Sequence, residues 1–171
     1  MRRLVRITDS DFFGGAPAYL DSVSRYGARG VLLDGRSYVG MMYMSASDLY
    51  KLPGGGVDKG ENPRDAFVRE ILEETGFEAQ IVHELGWAEE HKNRNRFMQY
   101  SYCYLARALR NTGKTMLSAN ERKLGMTIAW LAPSEALEAM ENAVLRNDDY
   151  SKRFMLTRDR AILEHAMKLI D

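Results

Sequence analysis

The sequence predicts an α/β fold, and three observations carry that prediction. Apolar, β-rich runs recur along the chain, at residues 28–33, 38–44, 79–89, 96–106 and 126–131. One two-faced helical segment, residues 62–76, interrupts them midway. Two further helical patterns close the chain, from Pro133 to about Leu145 and from about Tyr150 to Ile170. Strands and helices in this order suit layers packed around one core.

Taken in order, residues 1–25 carry the weakest pattern, because Gly14, Gly15 and Pro17 break any regular element. They suit a short edge strand and then an arm, placed to contact a second subunit of a homodimer. Residues 28–33 and 38–44 read as strands joined by Asp34-Gly35-Arg36-Ser37, a hairpin-like connection. Residues 50–52 lead into the run Leu52-Pro53-Gly54-Gly55-Gly56, where glycine lets the backbone adopt positive φ and approach a ligand closely.

The helix that follows has clear signals at both ends. Asn62 is a good N-cap, Pro63 suits the first helical position, Asp65 is placed to complete a capping box, and Gly76 supplies the left-handed stop. At about 100° per residue, Ala66, Arg69, Glu70, Glu73 and Glu74 share one sector, while Phe67, Val68, Ile71, Leu72 and Thr75 share the other. Beyond it, residues 79–89 and 96–106 read as strands meeting near residues 91–95. In the second, Tyr100, Tyr102 and Tyr104 alternate and share a face. That face is a core layer or the wall of a base pocket, and packing is the commoner use of an aromatic stripe. Residues 109–125 are polar, contain Gly113 and read as a loop. The last helix puts Met155, Ile162, Ala166 and Leu169 on one stripe. No linker or repeat divides the chain, so residues 1–171 read as one domain.

Composition narrows the class. The chain is 45% hydrophobic and 28% charged, which excludes disordered and collagen-like proteins. Its 24 basic residues balance 24 acidic ones, so no global field draws a nucleic-acid polymer or an anionic membrane. There is no membrane-length apolar segment and no secretory signal pattern at the N-terminus. A single cysteine, Cys103, cannot form an internal disulfide and reads as a buried strand residue. These features imply a cytoplasmic protein. His83, His91 and His165 show no metal-ligand spacing and read as structural or exposed.

The chemistry concentrates between Gly55 and Phe77. Glu70, Glu73 and Glu74 lie at i, i+3 and i+4, and like charges at that spacing cost a few tenths of a kcal/mol per pair. Arg69 can bridge to Glu73, but one guanidinium does not neutralise three carboxylates; a divalent cation does. Carboxylates without Cys or His favour Mg²⁺, Mn²⁺ or Ca²⁺ over zinc. The glycine run adds carbonyls for the cation and amides for phosphate.

The spacing Gly55, Glu61, Arg69, Glu70, Ile71, Glu73, Glu74, Gly76, Phe77 resembles the Nudix box, G-x5-E-x7-R-E-U-x-E-E-x-G-U, with Phe77 where an aliphatic residue is usual. On these residues the chain is similar to the Nudix hydrolases. The resemblance implies an α/β/α sandwich with a mixed β-sheet, and hydrolysis of a nucleoside diphosphate linked to another group, with Mg²⁺ or Mn²⁺. It also implies that Glu70, Glu73 and Glu74 hold metal with the Gly54 carbonyl, and that Arg69 and Glu61 hold loop and helix in register, with Gly76 closing the motif. Gly55, Gly56, Lys51, Arg94 and Arg96 are candidates for substrate binding. Any of the box glutamates, Glu73 among them, is a candidate base; outside the box Glu121 is preferred, as a carboxylate in a long loop, with Glu89 and Glu90 second. The SQPWPxS array of NADH hydrolases and the proline that marks ADP-ribose hydrolases beyond the box are not found. A catalytically inactive binding module of the same fold is the alternative, but such modules tend to degrade the box and this one keeps every charged position.

Overall fold

The computed structural model describes residues 1–170. Eight strands form one mixed sheet: β1 (Arg3–Thr8), β2 (Arg25–Leu33), β3 (Val39–Met44), β4 (Leu49–Lys51), β5 (Gly54–Gly56), β6 (Phe77–Lys92), β7 (Phe97–Asn111) and β8 (Met126–Leu131). The order is β1-β6-β7-β2-β3-β4, with β5 added to β2 and β8 to β3. The β1–β6 and β2–β7 pairs are parallel and the others antiparallel. Strands β2 and β3 share only the Leu33–Val39 pair, so the sheet turns a corner there and β5 takes the freed edge of β2.

Period-two alternation sorts β2 and β7 between two cores. Ala28, Leu32, Tyr104 and Ala106 face helix α2 (Pro63–Thr75) and pack on its Ala66, Phe67 and Ile71. The Phe67 and Tyr104 rings stack at 5.5 Å. Val31, Leu33, Cys103 and Leu105 face the opposite side, where helices α4 (Pro133–Arg146) and α5 (Tyr150–Met167) bury Met140, Ala143, Leu156, Ile162 and Ala166. Helices on both faces of a mixed sheet make the α/β/α sandwich.

Several elements differ from expectation. Helix α2 is capped by Asn62, which accepts from Arg64 N at 2.8 Å, and Gly76 ends it at φ 77°, but the box with Asp65 does not form. Residues 109–125 are not all loop: β7 continues to Asn111, and Ala119–Lys123 form a short helix, α3. Its Ser118-x-x-Glu121 sequence is a capping box, a signal hidden within a polar stretch. On α5, Leu169 falls beyond the helix and is exposed, while Arg158 and Asp159 occupy the buried stripe. The N-terminal region supplies the expected edge strand, β1, and a short helix, α1 (Ser10–Phe13). The arm after it folds onto its own chain, where Leu20 N donates to His91 Nδ1 at 2.9 Å and Asn93 Nδ2 donates to Ala18 O at 2.9 Å.

Of the three tyrosines, Tyr104 is core. Tyr102 packs at the margin of the α2 core and stacks on Tyr26, and Tyr100 stacks on Trp87, both away from the main cavity. Because Phe67 joins the active helix to the sheet, Phe67→Ala should cost about 3–5 kcal/mol. Urea denaturation of the two proteins measures the difference.

Candidate active site

The glycine run has a steric cause. Gly54 sits at φ 143°, and a side chain there would strike the Arg29 backbone at 2.6 Å. A side chain on Gly55 would collide with the Glu70 carboxylate. Strand β5 therefore passes between α2 and β2 only as bare backbone. Leu52 N, just before it, donates to buried Asp159 Oδ2 at 2.9 Å, which ties the run to α5.

Arg69 is the hub of the motif. Its Nε and Nη2 grip both oxygens of Glu61 at 2.7 and 3.0 Å, and Nη2 also donates to Gly56 O at 3.1 Å. Nη1 reaches Glu70 Oε1 at 3.0 Å and Glu73 Oε2 at 3.2 Å. The hydrogen bonds with Glu61 hold Arg69 more firmly protonated than usual and hold the Glu61 carboxyl below its usual range. Burial pushes Glu70 the other way, upward, against the opposing pull of Arg69.

Glu74 is only 2% exposed, and burial pushes its carboxyl up to about 7, although Lys51 and the Gly54 amide favour the charged form. Its Oε2 accepts from Gly54 N at 3.1 Å and its Oε1 from Lys51 Nζ at 3.4 Å. The same ammonium lies 3.4 Å from Gly54 O and 3.5 Å from Leu52 O. A cation therefore already sits among these oxygens, and it belongs to the protein.

Among the described residues no three acidic, His or Cys side chains converge as a ready metal cage. Arg69 bridges Glu70 and Glu73, while Lys51 holds Glu74. The donor set nevertheless fits Mg²⁺ or Mn²⁺: it is all oxygen, from Glu70, Glu73, Glu74 and the Gly54 carbonyl, and two of its members, Glu74 and the Gly54 carbonyl, already face the Lys51 ammonium.

These groups line a cavity of about 820 Å³ with Gly55, Gly56, Lys51 and Glu121. Glu121 faces Glu70 and Glu74 closely enough to push both carboxyls upward. It is not a free loop residue, because its Oε1 accepts from Ser118 N at 2.8 Å at the start of α3. Glu89 points elsewhere: burial would raise it, but hydrogen bonds from Arg6, Trp87 and His91 hold it at about 2. Glu90 lies on the cavity floor, with Oε2 taken by Arg158 at 3.0 Å.

Arg94 and Arg96 lie outside the cavity lining. Arg94 instead stacks on Phe13 and Tyr150, 4.7 and 4.6 Å from their ring centres. The basic groups that do line it with Lys51 are Arg25, Arg29, Lys92, Lys152 and Arg158, none of them singled out from sequence. Arg29 stood inside an apolar strand run and Arg158 on an apolar helix stripe; a charge in either place was the available signal. Burial lowers Arg29 to about 10, so it stays cationic at neutral pH. Cys103 is inert, its thiol pushed up to about 12 by burial.

A family model for the NUDIX domain matches residues 23–154. The chain belongs to the Nudix family. Over 56 residues it is 41% identical to an RNA pyrophosphohydrolase of Sphingopyxis alaskensis, covering 31% of this chain and 35% of that one. Over 38 residues it is 55% identical to a putative 8-oxo-dGTP diphosphatase of Bacillus subtilis, covering 22% and 26%. The matches thus span about a third or less of these curated relatives. In structure, a MutT protein of Methanosarcina mazei superposes with a TM-score of 0.57 at 12% identity, covering 90% of this chain and 100% of that one. That likeness is one of fold.

Two outcomes follow for the Nudix motif. Arg69→Ala strands Glu61, Glu70 and Glu73 together, and should cost about 2 kcal/mol or more by thermal unfolding and lower any turnover; an unchanged melting temperature would remove the bracing role. For Glu74, a folded pKa near 7 against an ordinary value near 4.3 means that protonation stabilises the fold. In chelator-treated protein this group's stabilisation is present below its ordinary pKa and is lost as pH rises through 7. Glu74→Gln should remove that slope, so its melting temperature should overtake wild type increasingly from pH 5 to pH 8.

Proposed function

We propose that this Nudix protein hydrolyses a pyrophosphate bond in a nucleotide-type substrate, a nucleoside diphosphate linked to a further group. The observation that carries the reading is the pairing of a carboxylate wall, held in shape by Arg69, with a cationic floor across one cavity. Relatives described as a pyrophosphohydrolase and a diphosphatase support the same bond class. One of them is described as acting on RNA and the other on a nucleotide, and the site as described favours neither.

Glu70, Glu73, Glu74 and the Gly54 carbonyl would hold Mg²⁺ or Mn²⁺, which supplies charge neutralisation on the phosphate oxygens and a more acidic bound water. The remaining work falls to the chain's own residues. Lys51 offsets the charge of the cleaved diphosphate, while Gly55 and Gly56 let it approach the backbone. Glu121 takes the proton from the attacking water, because it faces the metal-ligand candidates without being bonded to Arg69. Its tie to Ser118 orients it, as a general base requires.

Glu121→Gln tests that role cleanly, since glutamine at the third helical position still closes the capping box. Turnover should fall by about 10²–10⁴, while calorimetric Mn²⁺ affinity stays near wild type. Glu70→Gln should instead lose Mn²⁺ affinity. A Glu121→Gln enzyme with wild-type turnover would move the base back into the box, and no turnover by wild type on any nucleotide with either metal would defeat the hydrolase reading.

A further inference from the structure

Arg29 is a buried cation that no carboxylate touches among the described residues; Asp159 and Glu90 act on it only from beyond ion-pair distance, beside the like charge of Arg158. It is 4% exposed in the middle of β2, and among the described residues its one side-chain hydrogen bond is from Nε to Ser101 Oγ at 3.1 Å. The nearby buried carboxylates are bonded mainly to others: Arg158 donates to Glu90 Oε2 at 3.0 Å and to Asp159 Oδ1 at 2.8 Å, and Leu52 N donates to Asp159 Oδ2 at 2.9 Å, while Glu90 Oε1 is buried without a partner among the described residues. No carboxylate lies within ion-pair distance of Arg29 among the described residues. Its guanidinium lines the cavity. Its Nη groups make no hydrogen bond among the described residues, and a guanidinium fork is suited to a phosphate that arrives with substrate.

Glycines in the surrounding backbone make room for the guanidinium groups themselves. A side chain on Gly27 would stand 2.9 Å from the Arg29 guanidinium, and one on Gly56 would stand 3.0 Å from that of Arg25. Strand β5 thus separates two surfaces of opposite sign. Glu70 lies against Gly55 on one side, and Arg25 lies against Gly56 on the other. Among the described residues that line the cavity floor, Arg25, Arg29, Lys92, Lys152 and Arg158 outnumber one carboxylate, Glu90, with Asp159 buried beside Arg158. The acidic wall needs a cation before it can accept phosphate; this floor does not.

We infer that Arg29, with Arg25 beside it, forms an anion subsite for a phosphoryl group beyond those at the glutamate wall, so that the preferred substrate carries three or more linked phosphates. The substrate assignment rests on the hydrolase reading above; the anion site does not. A nucleotide sugar, whose second group is uncharged, would leave Arg29 unpaired.

The test begins without turnover. Chelator-treated wild type is titrated with inorganic tripolyphosphate by calorimetry, beside Arg29→Gln, Arg29→Lys and Arg25→Gln. Wild type should bind and gain melting temperature from the ligand; Arg29→Gln should bind at least tenfold more weakly and gain little. Without ligand, Arg29→Gln should melt no lower than wild type, whereas a residue that merely holds the fold together would lower it. Arg29→Lys, which keeps the charge but not the fork, should fall between them. With Mg²⁺, Arg29→Gln should raise KM at least tenfold for nucleoside triphosphates and leave nucleotide sugars within twofold of wild type. Wild-type tripolyphosphate affinity in Arg29→Gln overturns the subsite; if that variant fails to fold, wild-type affinity in both Arg29→Lys and Arg25→Gln overturns it equally. Wild type that binds tripolyphosphate but turns over no nucleotide defeats the hydrolase reading alone. Turnover of nucleoside triphosphates by Arg29→Gln at wild-type kcat/KM defeats the subsite alone.

Discussion

Three carboxylates on one face of a short helix would repel one another and splay; Lys51 and the Gly54 amide hold Glu74, while Arg69, anchored on Glu61, holds the other two, Glu70 and Glu73. That guanidinium bonds both oxygens of Glu61, the carbonyl of Gly56 and the carboxylates of Glu70 and Glu73. It therefore fixes the loop after β5, the helix and the acidic wall in one arrangement. Charge-assisted, bidentate hydrogen bonds are the strong kind, which suits a half-buried position where several anions meet. The rest of the site inherits its geometry from this contact.

The fold supplies rigidity on either side of it. Phe67 and Ile71 anchor the opposite face of α2 against Tyr104 and Leu32, so the helix cannot roll to relieve its charges. Behind the glycine run, Asp159 reaches from α5 to the Leu52 amide. An active strand of three glycines has little packing of its own, and these two anchors replace the side chains it lacks.

Charge is distributed as two faces of a single cavity rather than across the molecule. The balance of 24 basic and 24 acidic residues conceals a carboxylate wall and a guanidinium floor separated by β5. Composition reports the sum of charges, whereas a site depends on where each lies. This explains why Arg94 and Arg96, near the turn between two long strands, proved to lie outside the cavity, and why Arg25 and Lys92, from the strands themselves, line it.

Much of the fold was legible because it is written in local chemistry. The α2 boundaries follow from Asn62, Pro63 and Gly76, and the sorting of β2 and β7 residues between two cores follows from alternation. The motif spacing likewise determined which carboxylates share a face. What only the tertiary structure decided involves partners distant in sequence. The rise of the Glu74 carboxyl to about 7 comes from burial against Lys51 and Gly54, and the ordering of Glu121 comes from a helix too short to show a hydrophobic period. That no carboxylate touches Arg29, a charge within an apolar strand, appears only when Arg158, from far along the chain, is seen to bond both Glu90 and Asp159. Sequence determines the periodicities and caps that make elements, but electrostatic partnership depends on distance through space, and only the assembled fold sets it.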